Sequence, residues 1–236
     1  MFFEWEVKKA GERLVGMVDF AQFSGIIALL VLASFAARHE LLSQGGVLAS
    51  LLIGTAIFWF GGWPWFLLLA SFFALASAAT KFGEKDKVVP NKEFAKGGVR
   101  DFWQVGANGA LAALIAVIYH FFPLNAFYFA YIGVISTVTA DTIATELGLF
   151  SKEAYMITTM KKVRRGLSGA VSWRGTLMAV FSAFLIGVAA LLVNSYFRFT
   201  TVSPVSLLAI ATFAGTAGAF ADSILGATVQ VIFYCR

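Results

Sequence analysis

Charge is scarce in this sequence. Only 13% of its 236 residues are Asp, Glu, Lys or Arg, whereas soluble domains carry roughly a quarter. That shortage excludes a sizeable soluble domain. Cysteine is nearly absent: Cys235 stands alone, which excludes an intramolecular disulfide and a cysteine metal cluster and leaves a packing role. The two histidines, His39 and His120, are unpaired and lie near the ends of apolar segments, so zinc is not expected and both read as structural. No GxxxxGK[ST] motif occurs, which excludes a Walker P-loop, and no RNA- or DNA-binding motif occurs either. The net charge of +5 therefore points to anionic lipid headgroups and not to nucleic acid. The first residues, MFFEWEVKKAGERLVGMVDF, mix acids with bases and have no small-residue cleavage site, so they do not read as a signal peptide. Residues 1–19 are expected to form an interfacial amphipathic segment with aromatic anchors.

What the chain has is apolar length. It is 59% hydrophobic, with a mean hydropathy of +0.81. Apolar segments near or above the span threshold of ~18 residues recur at 20–37, 44–60, 63–80, 104–122, 124–140, 174–195 and 204–234. The expected fold is all-α: one polytopic membrane bundle over residues 20–236, with about seven transmembrane helices. Gly61, Gly62 and Pro64 mark a tight turn, as does Pro123, and the glycine-containing last segment reads as one bent helix or two short ones. Two basic loops, KFGEKDKVVPNKEFAKGGVRDFW from Lys81 and SKEAYMITTMKKVRRGLSGAVSWRG from Ser151, hold twelve of the eighteen Lys and Arg residues. Two spans separate them, so both are expected on one side, the cytoplasmic side by the positive-inside tendency. Three spans precede the first loop and place the start of the bundle on the opposite side.

Three acids stand at or near the ends of the later apolar segments: Asp141, Glu146 and Asp222. Ionised groups at bilayer depth cost several kcal/mol, so they usually face a cavity, a partner or an ion. The alternative is a solvated helix end. The segment ADTIA at Ala140 echoes ADSIL at Ala221, each with a hydroxyl directly after the aspartate. Gly218, Asp222 and Gly226 share one helix face and permit close helix approach. On an ideal helix Asp141 and Glu146 point about 140° apart, so they need not act together. A few hard oxygen ligands, without cysteine or paired histidine, suit Mg²⁺ bound with water and substrate phosphates.

The basic loops supply candidate anion ligands. Lys92, Lys96 and Arg100 lie beside Gly97 and Gly98, which allow close backbone approach. Asp101, Gln104 and Asn108 then fall along one helix face and suggest a polar cavity wall. In the second loop, Gly166, Ser168 and Gly169 precede an apolar span whose first amides would form an anion site. Thr159, Lys161, Lys162, Arg164, Arg165, Ser172 and Thr176 complete that candidate set. For about half of the basic residues, the competing reading is topology and lipid contact.

Four motifs, RDFWQVGANG, ADTIATELG, ITTMKKVRRGLSGAVSWRGT and GAFADSILGATVQ, resemble in order and spacing the integral-membrane phytyl-phosphate kinase family of the vitamin E pathway. The resemblance covers roughly residues 40–236. It implies a CTP-using enzyme that phosphorylates an isoprenyl monophosphate to the diphosphate, and distant kinship with dolichol kinases and CDP-diacylglycerol or CDP-archaeol synthases. Arg165 and Leu167 depart from the proline and threonine expected there, which bears on substrate or nucleotide preference. The expected activity is thus an Mg²⁺-dependent kinase acting on a prenyl phosphate with CTP or another nucleoside triphosphate, as a monomer or homodimer. Asp141, Asp222, Asp101 and Asn108 are the catalytic candidates, and Glu146 joins the two membrane aspartates as a metal candidate. Two alternatives are a CTP-dependent cytidylyltransferase making a CDP-lipid and a secondary transporter with inverted repeats.

Overall fold

A computed structural model of the chain describes residues 23–82 and 99–230. The expected interfacial segment at 1–19, Lys92, Lys96 and Cys235 lie outside the described residues. The elements are α1 (Phe23–Arg38), α2 (Gln44–Lys81), α3 (Phe102–Phe121), α4 (Asn125–Gly148), β1 (Ala154–Met156), β2 (Lys162–Val163), β3 (Ala170–Val171), α5 (Trp173–Phe197) and α6 (Pro204–Thr228). Five helices, α2 to α6, are long and apolar enough to cross a membrane, and α1 is a shorter apolar helix. The protein is a polytopic helical membrane protein.

Local sequence explains where helices begin. Ser43, Ser172 and Ser203 each accept a hydrogen bond from a backbone amide three residues on, at Gly46, Gly175 and Ser206. Pro204 follows Ser203 at the first helical position, where its missing N–H leaves nothing unpaired. Asp101 and Gln104 form a reciprocal capping box at the start of α3.

The 38 residues of α2 would reach about 57 Å as one straight helix. They do not, because both ends meet Arg100. Ser43 N donates to Arg100 O at 3.0 Å, and Arg100 Nη2 donates to Thr80 Oγ1 at 3.1 Å. The reversal is at Gly62, whose φ of +72° and ψ of −165° leave the helical region, with Pro64 just beyond. Phe58 packs edge-on against Trp63 and Phe66 across this turn. The described residues thus form seven apolar helical segments near the expected ones, except that α4 runs on to Gly148, past the expected end at 140, so that Asp141 and Glu146 lie within the helix. The last is a single helix, α6, and not two.

Helix α4 is the centre of the bundle and packs against α2, α3, α5 and α6. Its far half lies in a core of large side chains, with Tyr128, Tyr131, Ile132 and Ile135 fully buried alongside Trp65, Leu68, Ile186 and Leu207. Tyr131 OH donates to Trp65 O at 2.7 Å. Towards its C-terminal half the contacts become small: Ala140, Ala179, Ala183 and Ala219 form a second cluster. There Ser136 Oγ donates to Ala211 O at 2.7 Å and Thr137 Oγ1 to Ala214 O at 3.2 Å. A side chain at Gly215 or Gly218 would collide with Ser136 or Thr137, so close approach of α6 requires glycine.

The ends carrying the basic loops gather at one end of the bundle. Thr80 closes α2, Arg100 precedes α3, and Glu146 closes α4, linked by the Arg100–Thr80 bond and by Thr80 Oγ1 donating to Glu146 Oε1 at 3.2 Å. Arg174 Nη1, at the start of α5, donates to Phe150 O at 2.9 Å. The two loops therefore share a side, as expected. The second loop also holds a small antiparallel sheet of order β2-β1-β3, an addition to the all-α expectation. Both histidines are packed on aromatics, His39 on Phe35 and His120 on Phe60.

Candidate functional site

At the basic end, α4, α5 and α6 separate around a cleft of about 220 Å³. Its walls follow helical spacing. Asp141, Ala144, Thr145 and Gly148 line it from α4, and Gly175, Thr176 and Ala179 from α5, behind the cap residue Ser172. Ala219, Phe220, Asp222 and Ser223 line it from α6. Arg165 to Val171, the segment leading into β3, closes the top. The cleft exists because its walls are small. A side chain at Gly175 would lie 3.1 Å from Ala144 O, and Gly148 is equally tight against Ser172 Oγ at 3.2 Å.

The two aspartates of the repeated motif meet here. Asp141 and Asp222 both line the cleft, near enough for each carboxylate to act on the charge of the other. Two carboxylates so placed repel one another unless something positive lies between them. Beside them, Gly166 and Gly169 hold the loop in left-handed backbone, at φ +80° and +77°. A side chain at Gly169 would sit 2.6 Å from the Ala227 backbone, so this loop lies flush on α6. Ser168 Oγ donates to Gln230 Oε1 from the same loop.

Among the expected site residues, Asp141, Asp222, Arg165, Gly166, Ser168, Gly169, Ser172 and Thr176 are brought together around this cleft. Besides Ser168, two of them have structural partners as well. Arg165 Nη1 donates to Leu149 O at 3.2 Å and Ser151 O at 3.1 Å, neutralising the carbonyl end of α4. Ser172 Oγ caps α5 and accepts from Ser151 Oγ at 3.0 Å.

The others are elsewhere. Glu146 points away from the cleft, to Thr80 and Arg100. Arg100 lies with it, its guanidinium pKa lowered by burial and raised in part by the Glu146 charge. The expected polar wall of Asp101, Gln104 and Asn108 does not form. Asp101 Oδ1 accepts from Gln104 N at 2.9 Å, and Gln104 Oε1 accepts from Asp101 N at 3.2 Å, so both side chains are used in the cap. Asn108 and Arg100 instead border a smaller apolar pocket of about 90 Å³ against α1 and α2. Thr159, Lys161, Lys162 and Arg164 are exposed outside the cleft lining. Lys162 Nζ donates to Glu153 Oε1 at 2.5 Å, raising the lysine pKa and lowering that of the glutamate.

Sequence reasoning missed Thr145, Gly175 and Ser223. Thr145 is four residues after Asp141 and Gly175 three after Ser172, spacings that put each on the cleft face. Ser223 is the hydroxyl of the second ADSI motif, and its Oγ donates to Ala219 O at 3.1 Å.

Residues 27–236 match the family described as integral membrane protein DUF92. The chain belongs to this DUF92 family. The match spans every element that builds the cleft. The DUF92 chain is 33% identical to an uncharacterized membrane protein of Methanocaldococcus jannaschii over 210 residues, covering 88% of this chain and 83% of that one. It is 30% identical to Protein PGR of Arabidopsis thaliana over 237 residues, covering 91% and 82%. It is also 31% identical to the chloroplastic Protein VTE6 of Arabidopsis thaliana over 153 residues, covering 61% of this chain and 45% of VTE6. No solved structure matches the chain.

Proposed function

We propose that this DUF92 protein is a membrane phosphotransferase that moves a phosphoryl group from CTP, or another nucleoside triphosphate, to an isoprenyl monophosphate. The observation that carries this reading is the meeting of Asp141 and Asp222, one from each repeated motif, in a cleft closed by a left-handed glycine loop. Phosphoryl transfer asks a protein mainly for positioning and charge neutralisation. Small walls and backbone amides allow phosphates close approach. The resemblance of four motifs to the phytyl-phosphate kinase family and the likeness to VTE6 support the same direction.

The donor set fits a hard cation. Two carboxylates and an open cleft, with no group of three or more His, Cys, Asp or Glu gathered among the described residues, suit Mg²⁺ that keeps waters and phosphate oxygens as its other ligands. Asp141 and Asp222 would hold the ion, which would supply neutralising charge to the phosphates. Arg165, Thr176 and the amides around Gly166 and Gly169 would position them. By the positive-inside tendency the cleft faces the cytoplasm.

The test is purified protein incubated with Mg²⁺, CTP and geranylgeranyl or phytyl monophosphate. A phosphotransferase releases CDP and moves the γ-phosphate label to the lipid. Absence of any labelled lipid across several prenyl phosphates and nucleotides overturns the reading. The second reading is a cytidylyltransferase, because the same cleft would hold a triphosphate and a lipid phosphate equally well. Release of pyrophosphate and label from the α-phosphate identify it.

A further inference from the structure

The cleft reaches the surface at two places of opposite character. At the top, Arg165 is exposed, next to the exposed basic residues Lys161, Lys162 and Arg164. At the side, Asp222 is exposed although it lies inside an apolar helix. Its neighbours on α6 face outward too: Ala221 is exposed, Ile224 is 47% exposed and Leu225 58%. Such a surface on a spanning helix meets lipid, and a carboxylate there is costly unless it serves a polar ligand. Asp222 is six residues before the end of α6 at Thr228, about 9 Å along the axis. The polar zone of each leaflet is about 5–8 Å deep. With the end of α6 at the membrane surface, Asp222 lies at the inner edge of this polar zone, and small Ala221 leaves space beside it.

We propose that the cleft has two mouths: the one at Arg165 receives a water-soluble phosphate donor, and the one at Asp222 receives the phosphate head of a membrane lipid sideways from the surrounding leaflet. This rests on the phosphotransferase reading and adds the route and orientation of each substrate. The lipid's chain stays outside, along the face of α6 that carries Ala221 and Leu225. Only its head reaches the cation that Asp141 and Asp222 would hold. The route explains how a protein whose cleft is small and polar at its floor can act on a long apolar molecule. The cleft need not contain the chain.

The experiment places a benzophenone side chain at Leu225 or, as a control, at Phe213, which is 77% exposed on the same helix but farther from the cleft. Each variant is set in neutral phospholipid nanodiscs with radiolabelled geranylgeranyl monophosphate and illuminated. Crosslinking at position 225 is expected to be lost when unlabelled geranylgeranyl monophosphate is added and to persist with geranylgeraniol, which lacks the phosphate. Crosslinking at position 213 should respond to neither. Equal response at the two positions overturns the side mouth. Alongside it, Ala221→Trp, which adds bulk on the lipid-facing side, should raise KM for the lipid and leave KM for the nucleotide unchanged; a change in nucleotide KM alone also overturns it. Turnover without competed crosslinking removes the side mouth and leaves the phosphotransferase standing. Competed crosslinking with no turnover keeps the side mouth and removes the phosphotransferase.

Discussion

At one end of α4, Tyr128, Tyr131, Ile132 and Ile135 are fully buried among Trp65, Leu68, Ile186 and Leu207. At the other, Ala140, Ala144, Thr145 and Gly148 face Gly175, Ala179 and Ala219. The same helix is held by large side chains where the bundle must be locked and by small ones where it must remain open. Large interdigitating groups fill space and leave none for a ligand. Small ones bring backbones together and leave room beside them, where the aspartates are. On the proposed reading, stability and function lie at opposite ends of one helix, and substitutions at the two ends should differ in kind.

The largest effect is expected at the open end. Asp141→Asn and Asp222→Asn should each lower phosphoryl transfer about a thousandfold, since an ion that neutralises transition-state charge supplies several kcal/mol. Thermal unfolding in detergent should be unchanged or improved, because removing one carboxylate relieves the repulsion between the pair. Near-normal turnover in either variant would remove that residue from the site. At the locked end the expectation inverts. Trp65→Ala opens a cavity beneath Tyr131 and should cost about 3–5 kcal/mol of stability, while KM for both substrates in the folded fraction stays as it was. A shifted KM there would mean that the two ends are coupled.

Gly169→Ala tests the boundary between them. It forces an L side chain into left-handed backbone and against Ala227, a strain of more than about 1 kcal/mol. The loop should lift from α6, so turnover should fall more than global stability does. Parallel measurement of product formation and unfolding temperature checks this. Equal losses would make the glycine a folding residue and nothing more.

How far the sequence reveals these differences depends on the kind of signal. The seven apolar segments and the turn at Gly62 are legible because length, glycine and proline act locally. The cap serines are legible for the same reason. The pairing of Asp141 with Asp222 is suggested by the repeated motif, and Thr145 could have been found from its spacing. Asp101 and Gln104 were open to a better reading: D-x-x-Q before an apolar run is a capping box as well as a polar stripe. The strands are two or three residues long, too short for any alternation to show. Arg165 is the hardest case. Its charge is visible in the sequence, but its partners are the carbonyls of Leu149 and Ser151, and a backbone carbonyl leaves no mark in the amino-acid sequence.

Glu146 gives the finest test of the comparison, because it is five residues from Asp141 and on a different face of the same helix. It accepts from Thr80 and lies beside the Arg100 guanidinium, joining the ends of α2, α3 and α4. Glu146→Gln keeps the shape and removes the charge, so Arg100 loses a nearby negative charge while Thr80 retains an acceptor. Stability should fall by about 1 kcal/mol, the scale of a hydrogen bond with some charge assistance. Turnover should remain within about threefold, under about 0.7 kcal/mol of barrier. Arg100→Gln should give a similar pair of numbers, and the double variant should lose little more than either single one, since both break the same interaction. A Glu146→Gln variant as inactive as Asp141→Asn would show instead that the α4 face towards α2 and α3 belongs to the site, and that the division between the faces of α4 is wrong.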